Sequence, residues 1–337
     1  MRRLLPLLAF ASLTACPAFA AEPPPWAYGF KTPLPADWTP PAPSSTPAPP
    51  SAASLDPTQW SLPGTDRKFT RAEITNIFNP ADFYPEDHPT MPEIVAHGKA
   101  PAVWACSRCH YANGKGRPEN AGISGLPVEY FIAQLHAFRN GERQSSDPRK
   151  PNTTMMANYA KGLTEDEMRA AAEYYASIKW TPWIRVVETD RVPQTTTSAG
   201  MYLQIPNGGD EPLGNRIVEV PEDPEIVEIQ RSPRVGFIAY VPKGSLQKGE
   251  ALVTTGGGKT VACMACHGPG LQGQIMPGIG PVPGIAGRSP SYLFRQMFDI
   301  QSGKRHGKQI ELMKPVVLNL NNEEMLAITA YVASLAP

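Results

Sequence analysis

The sequence predicts a mainly α-helical chain: two small helical domains in tandem, an irregular connector between them that contains β-strands, and a proline-rich arm in front. Three observations predict it. A Cys-x-x-Cys-His run occurs twice, and the helical-period segments that follow each copy recur at near-constant offsets. Proline is abundant, 39 of 337 residues, yet 15 of these fall in the first 64 positions, so the helix-breaking residue is concentrated ahead of the repeats. Between the repeats lie short runs rich in β-branched and aromatic residues, the composition of strands.

Charge excludes one large class of function. Lys and Arg number 31, as do Asp and Glu, so the formal net charge is zero and the charges are mixed along the chain. Such a chain lacks the basic surplus that counterion release demands of a nucleic-acid binder. At 41% hydrophobic residues it can still bury a core, and its length suits roughly two domains.

From the N-terminus, Arg2 and Arg3, the apolar run Leu4 to Leu13 and the small-x-small site Ala18-Phe19-Ala20 predict a secretory signal over residues 1–20. The run is too short to span a bilayer, and no later segment reaches the ~20 apolar residues that a membrane helix needs. Leu13-Thr14-Ala15-Cys16 also matches a bacterial lipobox, in which Cys16 would be kept as a lipid anchor; Pro17 and the cleavage site just downstream favour the soluble, exported form.

Residues 21–64 form the arm. Positions 21–63 hold 13 prolines, a composition that favours an extended chain. Trp26, Tyr28, Phe30, Trp38 and Trp60 leave two readings open: an arm that packs across a helical domain or docks a partner, and a tether with local aromatic clusters.

The first helical domain is expected over 65–180. Ile123 to Arg143 contains a helix with Phe131, Leu135 and Phe138 on an apolar stripe and Tyr130, Gln134 and Ala137 on another side. Met156 begins a loop that runs into a second helix, whose start carries the capping-box pair Thr164 and Glu167 and whose packing face is Met168, Ala171, Tyr175 and Ile178. The connector, 181–245, holds the strand-like runs Arg216–Val220 and Arg234–Val241, which predict a small β-ribbon. It carries six basic and nine acidic residues, against eight and five in residues 246–337.

That last segment is the second domain and repeats the first. Met313 to Met325 aligns with Met156 to Met168 at an offset of 157, and Ile285 to Arg305 aligns with Ile123 to Arg143 at an offset of 162. Asn321 with Glu324 is a looser capping box, followed by Met325, Ile328, Val332 and Leu335 at helical spacing. The second copy is five residues longer before its first helix and five shorter after it, differences that belong in loops.

The chemistry follows from the cysteines. Cleavage after Ala20 leaves four: Cys106, Cys109, Cys263 and Cys266, in Cys106-Ser-Arg-Cys109-His110 and Cys263-Met-Ala-Cys266-His267. Disulfides are the ordinary fate of exported cysteines, but pairing does not account for the histidine after each pair. Zinc needs four ligands per site, and each run supplies three. Covalent haem c accounts for all of it: two thiols one turn apart add to the haem vinyl groups, and the next residue, His110 or His267, lies under the iron as proximal ligand. Haem iron in electron carriers takes a sixth ligand, and His/Met ligation raises its potential. Met156 and Met313 each lie 46 residues after their histidine. Met155 competes with Met156, and the repeat favours Met156. Met168, Met297 and Met325 read as core residues, and His88, His97, His136 and His306 as ordinary polar or packing residues.

These residues resemble the class I cytochromes c, and the duplication is similar to the periplasmic two-domain dihaem members of the cytochrome c4 kind, over roughly residues 90–180 and 245–337. The resemblance implies two tandem cytochrome c haem domains, each a small helical unit wrapping one of two haem c groups, with haem edges close enough for internal electron transfer. It also implies that a carbonyl from a Pro-bearing loop accepts the proximal imidazole N–H. Pro283 fits that position; its counterpart, Ala121, keeps the carbonyl and loses the ring.

On this reading the chain carries electrons between periplasmic redox partners, from an upstream dehydrogenase or quinol-oxidising complex to a downstream oxidase or reductase, and makes no bonds itself. One alternative is a dihaem peroxidase-type enzyme, which needs an open distal position; the other is an electron-transfer subunit of a larger dehydrogenase or oxidase. Dihaem thiosulfate-oxidising enzymes use a Cys axial ligand, and the processed chain has no spare Cys.

Overall fold

The computed structural model describes residues 22–40, 56–308 and 310–337. The signal segment 1–20, Cys16 and the most proline-dense part of the arm lie outside the described residues. Helix accounts for 36% and strand for 15% of the chain. The strand content exceeds what a mainly α chain suggests, and most of it belongs to the connector.

The first haem unit contains the short helix Cys106–His110 and the longer helices Val128–Arg139, Pro151–Gly162 and Glu165–Ser177. Its core joins Val95, Phe131, Leu135, Met168, Ala172 and Tyr175, so the apolar stripes of two helices meet as their spacing predicts. Thr164 and Glu167 exchange both bonds of a capping box. One element departs from expectation: Met156 sits inside a helix. Pro151 occupies its first turn, where a fixed φ and a missing N–H favour helix initiation, and Lys150 precedes it in extended conformation.

The second unit repeats the plan with Ser245–Thr255, Met264–His267, Pro290–Gln301, Lys314–Val317 and Asn322–Ser334. Here the methionine caps the short helix Lys314–Val317 from its N-cap position. Asn321 and Glu324 form a complete capping box. The five extra residues before Pro290–Gln301 are not irregular; strands Gly273–Met276 and Gly280–Pro283 pair there as an antiparallel hairpin.

Helices Ser245–Thr255 and Asn322–Ser334 cross at Gly249. A Cβ at that position would lie 2.1 Å from the Ala327 carbonyl oxygen and 2.7 Å from Tyr331 Cβ. Two helix backbones approach that closely only over a residue without a side chain. Gly249→Ala is therefore expected to destabilise the protein by about 1–3 kcal/mol or more, seen as an earlier midpoint in urea; an unchanged midpoint would show that the crossing can open freely.

The connector is a three-stranded sheet with Phe237–Val241 central, parallel to Ile184–Glu188 and antiparallel to Val218–Pro221. The two strand-like runs of the sequence are thus partners. Two further antiparallel pairs form separate two-stranded sheets: the hairpin Thr195–Ser198 with Met201–Gln204, and Arg191–Pro193 with Asp210–Pro212, which encloses it in sequence. Alternate residues Phe237, Ala239 and Val241 are fully buried, and the last two join the second unit's core. Glu219, 2% exposed, accepts hydrogen bonds from Ser289 and Ser291 beside the start of Pro290–Gln301. On the other side Arg117 of the first unit donates to Glu228 at 3.0 Å.

Residues 22–40 pack against both units. Ala27 and Tyr28 are buried in the second unit's core, and the Trp26 ring lies 4.6 Å from Phe294. Tyr28 Oη donates to Asp299 at 2.8 Å, and Arg295 donates to the Ala27 carbonyl at 2.8 Å. From the first unit, Arg149 covers Phe30 at 4.0 Å and donates to the carbonyls of Thr32 and Pro33.

Candidate functional site

Each Cys-x-x-Cys-His run folds as one short helical turn, and both turns face a single continuous cavity of about 760 Å³ between the two units. Cys106, Cys109, His110 and Met156 line it from the first unit. Cys263, Cys266, His267 and Met313 line it from the second. No disulfide joins these four cysteines. Burial pushes the Cys106 thiol up to about 12 and the Cys263 thiol up to about 11. Met155 also lines the cavity, so its competition with Met156 is not resolved by position alone.

The histidines are fixed from behind. His110 Nδ1 lies 2.9 Å from the Ala121 carbonyl, and His267 Nδ1 lies 2.8 Å from the Pro283 carbonyl. The bond survives the replacement of proline by alanine because a backbone oxygen, not a side chain, accepts it. A donor at Nδ1 leaves Nε2 as the lone-pair nitrogen, the tautomer a metal requires. Burial also holds both imidazoles below the ordinary histidine value, which keeps them neutral.

The remaining lining suits a large apolar group with an anionic edge. Phe131, Leu135, Ile300, Ile328 and Val332 supply apolar wall. Lys150, 5% exposed, also lines this region; its Nζ makes no hydrogen bond among the described residues, and burial holds its ammonium well below the usual lysine value against the opposing pull of Glu119, Asp299 and Asp147. Haem, with an apolar macrocycle and carboxylates at one edge, fits this donor set and this wall.

The two crevices differ at their rims. Val261, Ile279 and Leu312 of the second are 51%, 49% and 57% exposed, whereas Val103, Phe131 and Leu163 of the first are 2%, 8% and 8% exposed. The residues read as core remain core: Met168 and Met325 are fully buried. The other histidines stay off the cavity wall. His88 pairs with Asp82 at 3.2 Å, His136 with Glu165 at 2.8 Å, while His97 and His306 contact backbone carbonyls. Sequence reasoning missed Lys150. Its signal was burial, which a lone Lys in a loop does not announce.

Comparison with known proteins agrees with this geometry. The cytochrome c family matches residues 95–179 and 246–336. The thiosulfate dehydrogenase electron acceptor of Thiomonas intermedia (strain K12) is 26% identical over 247 residues, covering 70% of this chain and 84% of that protein. Cytochrome c4 of Thiocapsa roseopersicina is 33% identical over 100 residues, 29% of this chain and 45% of that protein. Among solved structures, thiosulfate dehydrogenase (TsdBA) from Marichromatium purpuratum is similar at 26% identity and a TM-score of 0.45, over 71% of this chain and 38% of that one.

Proposed function

The chain belongs to the cytochrome c family, and from that premise we propose an exported electron carrier that accepts electrons from a dehydrogenase acting on an inorganic sulfur compound such as thiosulfate. It is a dihaem electron-transfer cytochrome with two covalently bound haem c groups, as are its relatives of the cytochrome c4 kind. The sulfur-compound donor rests on the likeness to an electron acceptor of thiosulfate dehydrogenase over most of both chains. No helix among the described residues is long and apolar enough to cross a membrane.

The observation that carries the reading is the doubled donor set around one cavity, with each imidazole fixed by a carbonyl. On it, the thiols of Cys106, Cys109, Cys263 and Cys266 hold the haems, and the Nε2 atoms of His110 and His267 and the thioethers of Met156 and Met313 hold the irons. The bound group supplies a one-electron iron couple. What the protein would add is a fixed ligand set that need not reorganise between oxidation states, exclusion of water by Phe131, Leu135 and Ile328, and one cavity shared by the two sites. Irons held by His110 with Met156 and by His267 with Met313 would offer no position for substrate, an arrangement that suits outer-sphere transfer. The peroxidase-type alternative gains no support from the relatives: two are an electron acceptor and a cytochrome c4 by name, and the third, of which this chain spans 38%, is named a thiosulfate dehydrogenase.

Mixing the oxidised protein with thiosulfate tests the proposal. Both haems are expected to be reduced rapidly when a thiosulfate dehydrogenase is added and negligibly without it. Steady thiosulfate oxidation by the chain alone, with ferricyanide as acceptor, would make it an enzyme and overturn the carrier reading.

A further inference from the structure

The repeat contains three polar residues that neither the haem motifs nor the helical stripes explain: Tyr130, Gln134 and Arg143, matched at an offset of 162 by Tyr292, Gln296 and Arg305. In the structure the two sets interleave across the boundary between the units. Arg143 and Arg305 face each other in an isolated antiparallel bridge, flanked by Gln144 N–H to Lys304 O and His306 N–H to Glu142 O, both at 2.8 Å. Arg143 donates to Gln134 Oε1 of its own unit at 3.0 Å, and to Tyr292 Oη at 2.9 Å and Gln296 Oε1 at 2.8 Å of the other. Arg305 mirrors it, donating to Gln296 Oε1 at 3.1 Å, and to Tyr130 Oη at 3.2 Å and Gln134 Oε1 at 2.8 Å.

The charges of this lattice do not balance. Both arginines are buried, 9% and 6% exposed, and the side-chain oxygens that accept these bonds belong to neutral Gln and Tyr residues. Each glutamine oxygen is shared by both guanidiniums, which brings two like charges close together inside the protein. Arg305 Nε is buried with no partner among the described residues. Burial alone would raise the Tyr292 phenol, yet the two guanidiniums hold it below the ordinary tyrosine value. Paired buried cations are strongly unfavourable unless anions join them. All six side chains line the cavity that both Cys-x-x-Cys-His runs face, and the planar fork of a guanidinium is shaped to bind a carboxylate through two parallel bonds.

We propose that Arg143 and Arg305 form one shared seat for the carboxylates of both haems, each arginine serving the haem of the opposite unit as well as its own. The inference rests on the dihaem reading. Its consequence is electrical coupling: a cation near an iron favours the reduced state, which carries one more electron, so each guanidinium raises both potentials.

The test uses the full holoprotein carrying Arg143→Met or Arg305→Met. A pyridine-haemochrome count comes first; fewer than two haems in the unaltered protein would sink the dihaem reading itself, separately from this inference. With two haems attached, potentiometric titration of either variant is expected to move both waves downward, by about tenfold in each one-electron equilibrium constant, or about 59 mV. Waves that stay in place, or movement of only the wave belonging to the altered residue's own unit, overturn the shared seat. Arg143→Lys covers the case in which the methionine variants fail to fold. It keeps the charge and loses the fork, so the potentials should stay near their original values while the haem carboxylate bands in the resonance Raman spectrum shift; unshifted bands would also overturn the proposal.

Discussion

Replacing Met313 with alanine is expected to lower the potential of one haem by on the order of tenths of a volt and leave the other close to its starting value. A thioether is a soft ligand that stabilises reduced iron, and axial-ligand identity is the largest single lever a protein has on haem potential. Met313 occupies the N-cap position of a four-residue helix beside Leu312, which is 57% exposed; Met276 and Met297 also line the cavity, so a potential that stays high in this variant would point to one of them as a substitute sulfur. The parallel change in the first unit is more discriminating. Met156→Ala should lower the other wave, and Met155→Ala should leave it in place; the reverse pattern would assign the ligand to Met155. Two waves unmoved by Met313→Ala even when Met276 and Met297 are replaced as well would remove Met313 from the ligand set.

Changing Cys263 and Cys266 together to alanine is expected to reduce the haem content from two per chain to one. The lost group belongs to the second unit, whose crevice rim is already open at Val261, Ile279 and Leu312. Losing a haem there would deprive the cavity wall at Ile300 and Ile328 of the surface it packs on, and large-to-small core changes of that kind cost about 2–5 kcal/mol. The second unit should then unfold ahead of the first, splitting one denaturation transition into two. A variant that retains both haems would show that these cysteines are not the attachment points.

The chemistry was legible in the sequence because covalent haem attachment is local: thiol, thiol and imidazole must share one helical turn. The helices were legible for the same reason, since Met168, Ala171 and Tyr175 report their own burial through spacing, and both capping boxes are four-residue patterns. What stayed hidden depends on contacts between distant segments. Tyr130 and Gln134 show up in the sequence as one side of a helix, but their partner Arg305 lies 175 and 171 positions away. The helical setting of Met156 was missed because the alignment with Met313 implied a shared loop, whereas Pro151 in the first copy initiates a helix ahead of it. In the connector two strands were visible as a small β-ribbon, and the third, Ile184–Glu188, was not. Parallel pairing of Ile184–Glu188 with Phe237–Val241 joins segments separated by more than forty residues, and nothing in either run names the other. The arm's aromatic residues signalled burial without revealing the surface, which is built from Phe294, Phe298 and Arg149.

The central claim is that one chain holds two haems, each fixed between a histidine and a methionine. Potentiometric titration of the unaltered protein, followed by its visible spectrum and calibrated by a haemochrome count, tests it most directly. The account predicts two haems per chain, two one-electron waves, and a methionine–iron signature in the spectrum of both. A haem that lacks that signature, or that binds added ligands as an open site does, would contradict it.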